Sequence, residues 1–245
     1  MALLYIWRHD LLLSLTYLGL WLAFSLYSFP PVRLKVRGLA GVFADAAGAH
    51  LFPALFSVVL VFRQAHRPID PGWIVLMGLW ALAYGLRGIL WHQLGDLDND
   101  RAAGARTFVV RHSRHGALWL GVYVAFPLEV LALGGLIWWM QSWWPVMFMA
   151  LSGVMIPWKA RLWGLKPIIV TPRPKSYMAL TDYYQIAFPA SILIAAALRS
   201  THDIVILVMH LLLFPGGSIL AYREILMLTS LGWLFRTRKG GRSIP

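Results

Sequence analysis

The stretch Trp73-Ile-Val-Leu-Met-Gly-Leu-Trp-Ala-Leu-Ala-Tyr-Gly-Leu-Arg-Gly-Ile-Leu-Trp-His-Gln93 decides the class of fold. It contains a single charged side chain, Arg87, and as a helix it is long enough to cross about 30 Å of hydrocarbon. A backbone in lipid has no water to bind, so its polar groups must pair within the segment. The stretch also lacks the polar–apolar alternation of a membrane barrel strand. It therefore predicts a transmembrane helix.

Similar apolar runs recur along the chain, separated by Pro, Gly and charged residues. Of the 245 residues, 59% are hydrophobic and 13% charged, and the mean hydropathy is +0.66, which exceeds what a soluble domain uses. We therefore predict an all-α, polytopic transmembrane helical bundle that forms one domain over residues 1–245. About seven spans are expected: 11–28, 41–62, 73–93, 116–138, 142–163, 178–198 and 203–221. An alternative has a re-entrant break at Pro215-Gly216-Gly217 and another short helix, Ile219 to Phe235.

The basic residues predict the orientation of these spans. The net charge is +12, which in a membrane protein is first a topology signal, so nucleic acid is not an expected partner. The first, third and fifth loops and the C-terminal tail carry 17 Lys and Arg, and the other side carries four. The richer side is expected in the cytoplasm of a bacterium, with the protein integral to the inner membrane and surrounded by its lipids. With no Cys in the chain, any metal must have oxygen or imidazole ligands.

Three of the ten acidic residues fall within five positions, at Asp96, Asp98 and Asp100. If the third span continues as a helix, Asp96 and Asp100 share one face and Asp98 points away from it. Two carboxylates spaced in this way suit Mg²⁺, which usually binds one or two protein carboxylates together with water and substrate phosphate. The alternative is a solvated loop whose carboxylates only neutralise neighbouring arginines. His92 extends the same face, either as an orienting partner or as an ordinary interfacial histidine.

Two motifs resemble those of one family. In the first, Gly95-Asp-Leu-Asp-Asn-Asp-Arg-Ala-Ala-Gly-Ala-Arg-Thr107, the residues Asp96, Asp100, Gly104, Arg106 and Thr107 occupy the places of a D-x-x-x-D motif followed by Gly and a Lys/Arg-Thr pair. This is similar to the second aspartate-rich motif of the UbiA superfamily of intramembrane prenyltransferases. The second, Tyr27-Ser-Phe-Pro-Pro-Val-Arg-Leu-Lys35, resembles the Y-S-x-P-P-x-x-x-K stretch of an earlier cytoplasmic loop in that family.

The resemblance implies a helical bundle with a diphosphate pocket open to the cytoplasmic side. By that analogy, Asp96 and Asp100 are the catalytic residues that hold Mg²⁺ against a prenyl diphosphate, and Lys35 with Arg33 contacts the phosphates. Arg106 and Arg111 follow the carboxylates directly and supply further positive charge for a diphosphate. The implied reaction is transfer of a prenyl group to an aromatic or other lipid-soluble acceptor held among the spans.

The chain also departs from the family. The family's first aspartate-rich motif is missing, since Asp10, Asp45 and Asp70 are each isolated, and the resemblance begins at the family's fourth span. We therefore expect a UbiA-like fold without its first helices: either another polypeptide supplies the first three spans, or the start of the chain is placed too late. The alternative is a non-catalytic UbiA-like subunit of a larger membrane complex that has a structural role or binds pigment or lipid.

Two other classes fit less well. The aspartate pattern of CDP-alcohol phosphotransferases cannot be completed, because no acidic residue follows Asp100 until Glu129. A transporter is disfavoured because Arg87 and Glu129 are nearly the only charges expected inside the membrane. Glu129 is nevertheless a functional candidate, since an ionisable group in a span is costly to keep there. Its partner cannot be identified from the sequence.

Overall fold

The computed structural model describes residues 9–214, and this part of the chain is mostly helical. Its elements in chain order are α1 (Leu11–Ser28), a 3₁₀ turn (Leu34–Val36), α2 (Leu39–Ala46), α3 (Phe52–Gln64), α4 (Pro71–Gly95), α5 (Leu97–Ala102), α6 (Phe108–Trp119), α7 (Phe126–Trp139), α8 (Trp144–Trp163), β1 (Lys166–Ile168), β2 (Ser176–Met178), α9 (Phe188–Arg199) and α10 (Asp203–Leu213).

Within residues 9–214, four helical stretches are long and apolar enough to cross a membrane: Leu11–Ser28, Leu39–Gln64, Pro71–Gly95 and Phe108–Trp139, the last of which is kinked at Ser113 (φ +72°, ψ 157°). They coincide with the first four predicted spans, so the prediction of a helical membrane protein is confirmed. The other three spans stay predictions. Helix α8 carries Lys159 and Arg161 near its end, and α10 has 11 residues. The last part of the seventh span and the alternative helix from Ile219 to Phe235 lie outside the described residues.

The chain divides into two compact units, one of residues 1–142 and 159–179, the other of residues 143–158 and 180–245. The first unit contains the four confirmed spans and both sequence motifs. In the described part of the second unit, the Tyr183 hydroxyl donates a hydrogen bond to the Pro145 carbonyl oxygen at 2.9 Å. The expectation of one domain stays a prediction.

Three long helices contain a wider π turn, and in each case a Phe-Pro pair follows. The π turns are Ala47–Leu51, Leu120–Ala125 and Tyr183–Ala187, and the pairs begin at Phe52, Phe126 and Phe188. Proline has no N–H and its ring crowds the carbonyl of the preceding turn. Widening that turn lets the apolar rod continue past the proline, because the remaining backbone groups still find partners.

Helix α4 is at the centre of the first unit and packs against α2 and α7. Asp70 starts it, since its carboxylate accepts from the backbone N–H groups of Gly72 and Trp73. Gly85 allows α2 to approach closely: a Cβ there would lie 3.0 Å from the backbone of Ala46. Without that glycine the two helices would have to separate, because interiors are close-packed.

The two short strands are a difference from the all-helical prediction. β1 and β2 pair in parallel, with Lys166 opposite Ser176 and Ile168 opposite Met178. We call residues Lys166–Ala179 the inserted segment, because Val170 is buried against Gly121 in the π turn between α6 and α7. Only glycine fits at 121, since a Cβ there would come within 2.8 Å of the valine side chain.

Candidate acidic cavity at the end of the fourth helix

A cavity of about 600 Å³ opens where α4 ends. Its lining brings together the two motifs that the sequence keeps two spans apart. Five of the predicted site residues lie in it: Arg33, Lys35, Asp96, Asp100 and Arg106. Tyr27, His92, Gly104 and Thr107 also line it. Carboxylates and cations therefore share one concave space, as recognition of a metal–phosphate pair would require.

The helix does not run unbroken through the acidic motif. α4 ends at Gly95, Asp96 adopts φ −95° and ψ 7°, and α5 begins at Leu97. The helical spacing nevertheless survives the break, because the Asp100 N–H bonds to the Asp96 carbonyl oxygen at 2.8 Å and the Asp96 N–H bonds to that of His92 at 2.9 Å. The predicted face of His92, Asp96 and Asp100 consequently lines one cavity.

The loop after α5 fixes one of the carboxylates. The Thr107 hydroxyl donates a hydrogen bond to Asp100 Oδ2 at 3.1 Å. The loop itself closes through the Ala105 N–H, which binds the Asp100 carbonyl oxygen at 2.8 Å, and through Gly104 at φ +66°. Gln93 holds the next residues, since its side-chain oxygen accepts from the Val109 N–H at 3.3 Å. Asp100 is thus oriented before any ligand binds, as outer contacts of metal ligands usually achieve.

The basic side of the cavity comes from the loop after α1. Arg37 donates to the Pro31 carbonyl oxygen at 2.9 Å, which folds the loop back on itself. Arg33 has φ +40°, a left-handed conformation that is strained for a residue with a side chain. The 3₁₀ turn then directs the half-buried Lys35 to the same cavity. Arg37 does not line the cavity.

Two other members of the polar cluster face elsewhere. The Asp98 side chain is 98% exposed and pairs only loosely with Arg101, at 3.7 Å, as its helical phase predicted. Arg111 was expected to bind substrate, but it is exposed on α6 and absent from the cavity lining. Helix α6 begins directly after Thr107, whose side chain makes no capping bond, and its first turn carries Arg111 towards solvent instead of the carboxylates.

One acidic group near the cavity could not be assigned from the sequence. Asp45, on α2, is half-buried and interacts electrostatically with His92. Tyr27 interacts with both Asp45 and Asp100. The sequence treats Asp45 as isolated because it is distant along the chain from the other acids, and only the packing of α2 on α4 brings it near them.

Arg87 and Glu129, which belong to two different membrane-spanning helices, form an ion pair. Arg87 Nε and Nη2 donate to the two carboxylate oxygens of Glu129, each at 2.6 Å, and both side chains are 0% exposed. Arg87 also donates to the carbonyl oxygens of Ile169 at 3.0 Å and Ala179 at 2.8 Å. The sequence shows two opposite charges in two predicted spans, but it does not show that Arg87 and Glu129 contact each other.

The donor set in the cavity fits a magnesium ion. Asp96 and Asp100 supply hard oxygen ligands, and Mg²⁺ commonly takes two carboxylates with water and substrate phosphate in its other positions. Among residues 9–214 there is no group of three or more His, Asp or Glu side chains arranged to hold a metal. The other positions of a Mg²⁺ ion at this pair would be filled by water or by substrate oxygen atoms.

Two aromatic side chains of the first unit have different surroundings. Tyr84 is inside the bundle, stacked on Trp80 with ring centres 5.9 Å apart and edge-on to His50 at 5.1 Å. Trp119 is 55% exposed on α6, which suits a side chain facing lipid.

A second cavity, of about 530 Å³, lies at the opposite end of α4, around Asp70, Trp73 and Trp139. Trp139 Nε1 donates to the Asp70 carboxylate at 2.9 Å. This bond lowers the pKa of Asp70, and the backbone N–H groups of Trp73 and Gly72 act in the same direction.

The fold and the first cavity define a helical membrane protein with an acidic and basic site at one end of its longest uninterrupted apolar helix. Comparison of the chain with protein-family models, with curated proteins and with solved structures found no match. The function is therefore argued from the cavity and from the resemblance of its two motifs.

Proposed function

We propose that this chain is a UbiA-like prenyltransferase, which transfers a prenyl group from a prenyl diphosphate to a lipid-soluble, aromatic acceptor in a Mg²⁺-dependent reaction. The observation that carries the proposal is the single cavity in which Asp96 and Asp100 lie with Arg33, Lys35 and Arg106. The proposal includes a UbiA-like bundle of about seven spans in a bacterial inner membrane, with this cavity on the cytoplasmic side.

The charge of the cavity supports a diphosphate bound with a metal ion. Its lining has three basic and two acidic side chains, so it is only weakly positive without a metal. A diphosphate carries about three negative charges near neutral pH. One Mg²⁺ held by the two carboxylates brings the site to about three positive charges, which balances the ligand.

Each residue then has a part in the reaction. Asp96 and Asp100 hold the ion, Thr107 orients Asp100, and the three basic side chains bind phosphate oxygens. When bound, Mg²⁺ stabilises the negative charge that builds on the leaving diphosphate. The allylic C–O bond breaks with its electron pair leaving on the diphosphate, the acceptor attacks the prenyl carbon, and the proton that the acceptor loses passes to the released diphosphate or to water. Tyr84 does not line the cavity, and the Arg87 guanidinium carbon lies over its ring, 5.9 Å from the ring centre, so this ring is not assigned a part in the reaction.

The test is Mg²⁺-dependent binding of farnesyl diphosphate to the purified protein, measured by calorimetry in detergent. Asp96→Asn and Asp100→Asn keep the side-chain volume and remove a charged ligand, so each should weaken binding about tenfold or more. Asp98→Asn is the matched control, because that side chain is exposed and outside the cavity. Equal effects at all three positions, or none at any, would contradict the proposed site.

A second candidate function is a non-catalytic UbiA-like subunit of a larger membrane complex. It is favoured by the cavity lining, which contains one carboxylate pair among the described residues, whereas the family resembled uses two aspartate-rich motifs. One pair gives limited stabilisation of a departing diphosphate. We therefore expect the chain alone to bind diphosphate weakly and to transfer no prenyl group.

Co-expression separates the two functions. A polypeptide that supplies three spans and a first aspartate-rich loop should restore prenyl transfer if the chain is part of an enzyme. Stoichiometric co-purification with an unrelated membrane complex, with no transfer from any donor, would favour the subunit. Full activity of the chain alone would show that the count of acidic groups at the site is incomplete.

A further inference from the structure

The inserted segment brings irregular backbone into the apolar part of the first unit. Ile169 and Ala179 follow directly after β1 and β2, and the carbonyl oxygens of both bind Arg87. Arg87 precedes Gly95 by eight residues, or about 12 Å along the helix. Backbone groups at such a depth must be satisfied by protein, because lipid offers no partner.

Arg87 suits this position because its planar guanidinium donates in several directions at once. Two of its N–H groups bind Glu129, whose carboxylate neutralises the guanidinium charge. Its hydrogen bonds to the carbonyl oxygens of Ile169 and Ala179 link the ends of β1 and β2. The guanidinium carbon also lies 5.2 Å from the centre of the Phe126 ring. Lysine could neutralise Glu129, but it cannot present the same planar set of donors.

The same segment touches the helix end that carries the acidic motif. Pro172, between the two strands, lies next to Gly95, and a Cβ built on that glycine would be 3.4 Å from the proline Cγ. Gly95 is the last residue of α4, directly before the break at Asp96. If the inserted segment moved away, the backbone at Gly95 would lose this contact, and the position of the adjacent Asp96 would be less restricted.

We infer that Arg87 is a positioning residue for the acidic cavity: it acts through the inserted segment, which it holds against Gly95 beside Asp96. The role in ligand binding rests on the proposed function. The contact between the segment and the helix end does not, so it can be measured separately.

The contact can be measured by a disulfide, because the natural chain has no Cys. A Cβ at Gly95 would be 3.9 Å from the Cβ of Pro172, within the usual range for a disulfide. The full-length G95C/P172C protein should therefore cross-link readily under mild oxidation. Adding Arg87→Lys should slow cross-linking at least fivefold, whereas Arg101→Lys, which changes an exposed arginine on α5, should leave the rate unchanged.

Rescue by the disulfide tests whether Arg87 acts through the segment. The probe is inorganic diphosphate with Mg²⁺, and its affinity is measured for reduced and oxidised G95C/P172C protein, with and without Arg87→Lys. We expect the reduced Arg87→Lys protein to bind at least fivefold more weakly than the protein that keeps Arg87. Oxidation should return its affinity to within twofold, because the bond replaces the tether.

Unchanged cross-linking in the Arg87→Lys protein would overturn the inference. Weakened diphosphate binding that oxidation does not restore would overturn it as well, since Arg87 would then act by another route. If protein that keeps Arg87 binds no diphosphate, the proposed function fails. In that case the cross-linking rate alone decides whether Arg87 holds the segment at Gly95.

Discussion

Removal of one partner of the Arg87–Glu129 pair should strongly destabilise the protein. Both side chains are 0% exposed and are joined by two bonds of 2.6 Å. Glu129→Gln leaves the guanidinium charge buried without its counter-charge, which typically costs about 3–5 kcal/mol. Asp98→Asn is the matched control: its ion pair is exposed and spans 3.7 Å, so its loss should cost about 0.5 kcal/mol or less.

Replacement of both partners distinguishes the contribution of the ion pair to stability from that of the hydrogen bonds between Arg87 and the two backbone carbonyls. A buried ion pair exchanged for apolar residues is often neutral or even stabilising, because two desolvation penalties disappear with it. Here Arg87→Met with Glu129→Leu also removes the donors to Ile169 and Ala179. These two carbonyls are partly buried, and the loss of their partner costs at most about 1–3 kcal/mol each, so the double variant should remain less stable than the natural protein.

The assay is equilibrium unfolding in mixed micelles, with increasing dodecyl sulfate and helix content followed by circular dichroism. Each variant is compared with the natural protein at the same pH and lipid composition. If the double variant is as stable as the natural protein, the inserted segment does not depend on Arg87 for its backbone bonds. If Glu129→Gln costs no more than Asp98→Asn, the pair is not buried in the way its geometry indicates.

Three further predictions concern other parts of the chain. Thr107→Val should weaken Mg²⁺-dependent diphosphate binding several-fold in calorimetry while Thr107→Ser preserves it, because only the hydroxyl orients the carboxylate; equal losses would assign the effect to packing. Single cysteines at Arg111 and Arg67 should react with impermeant reagents from opposite sides of the membrane, and labelling from one side would refute the span assignment. The bond from Trp139 holds the pKa of Asp70 below 3.8. The ionised Asp70 therefore stabilises the folded protein above its unfolded-state pKa, and this stabilisation is lost as pH falls through the folded-state pKa. In thermal melts at acid pH, Trp139→Phe should reduce this pH dependence, and an unchanged profile would refute the assignment.

The sequence predicts the four long spans well because the solvent dictates them. A long apolar run in lipid has few alternatives to a helix, and Leu11–Ser28 and Pro71–Gly95 follow the predicted limits within two residues. The prolines at 53, 127 and 189 also carried information that a hydropathy reading does not use. Each interrupts an apolar run, and the chain responds with a π turn rather than an end to the helix.

Helical phase also placed part of the cavity correctly. Residues 92, 96 and 100 share a lining, and Asp98 points to solvent, although the helix breaks at Asp96. The hydrogen bonds across that break preserve the spacing. The helical phase of the acidic motif could not place Arg111. Arg111 belongs to the first turn of α6, which begins after Thr107, and not to the helix that carries the carboxylates.

Contacts between elements that are distant along the chain could not be predicted from the sequence. Arg87 and Glu129 are on different helices, and their meeting depends on how α4 and α7 rotate about their axes. The inserted segment has strands of three residues each, too short for a periodic pattern to reveal. Asp45 joins the surroundings of the cavity only because Gly85 allows α2 to pack closely on α4.

The charges of the first unit therefore act in different ways, and burial decides which. Arg87 and Glu129 are fully buried and matched, so together they stabilise backbone and offer no net charge to a ligand. Asp98 and Arg101 are exposed, where water weakens their attraction. The cavity differs from both, because its cations outnumber its carboxylates and all open onto one space. Under the proposed function, one Mg²⁺ ion and a diphosphate of about three negative charges bring the sum of the charges in the cavity close to zero.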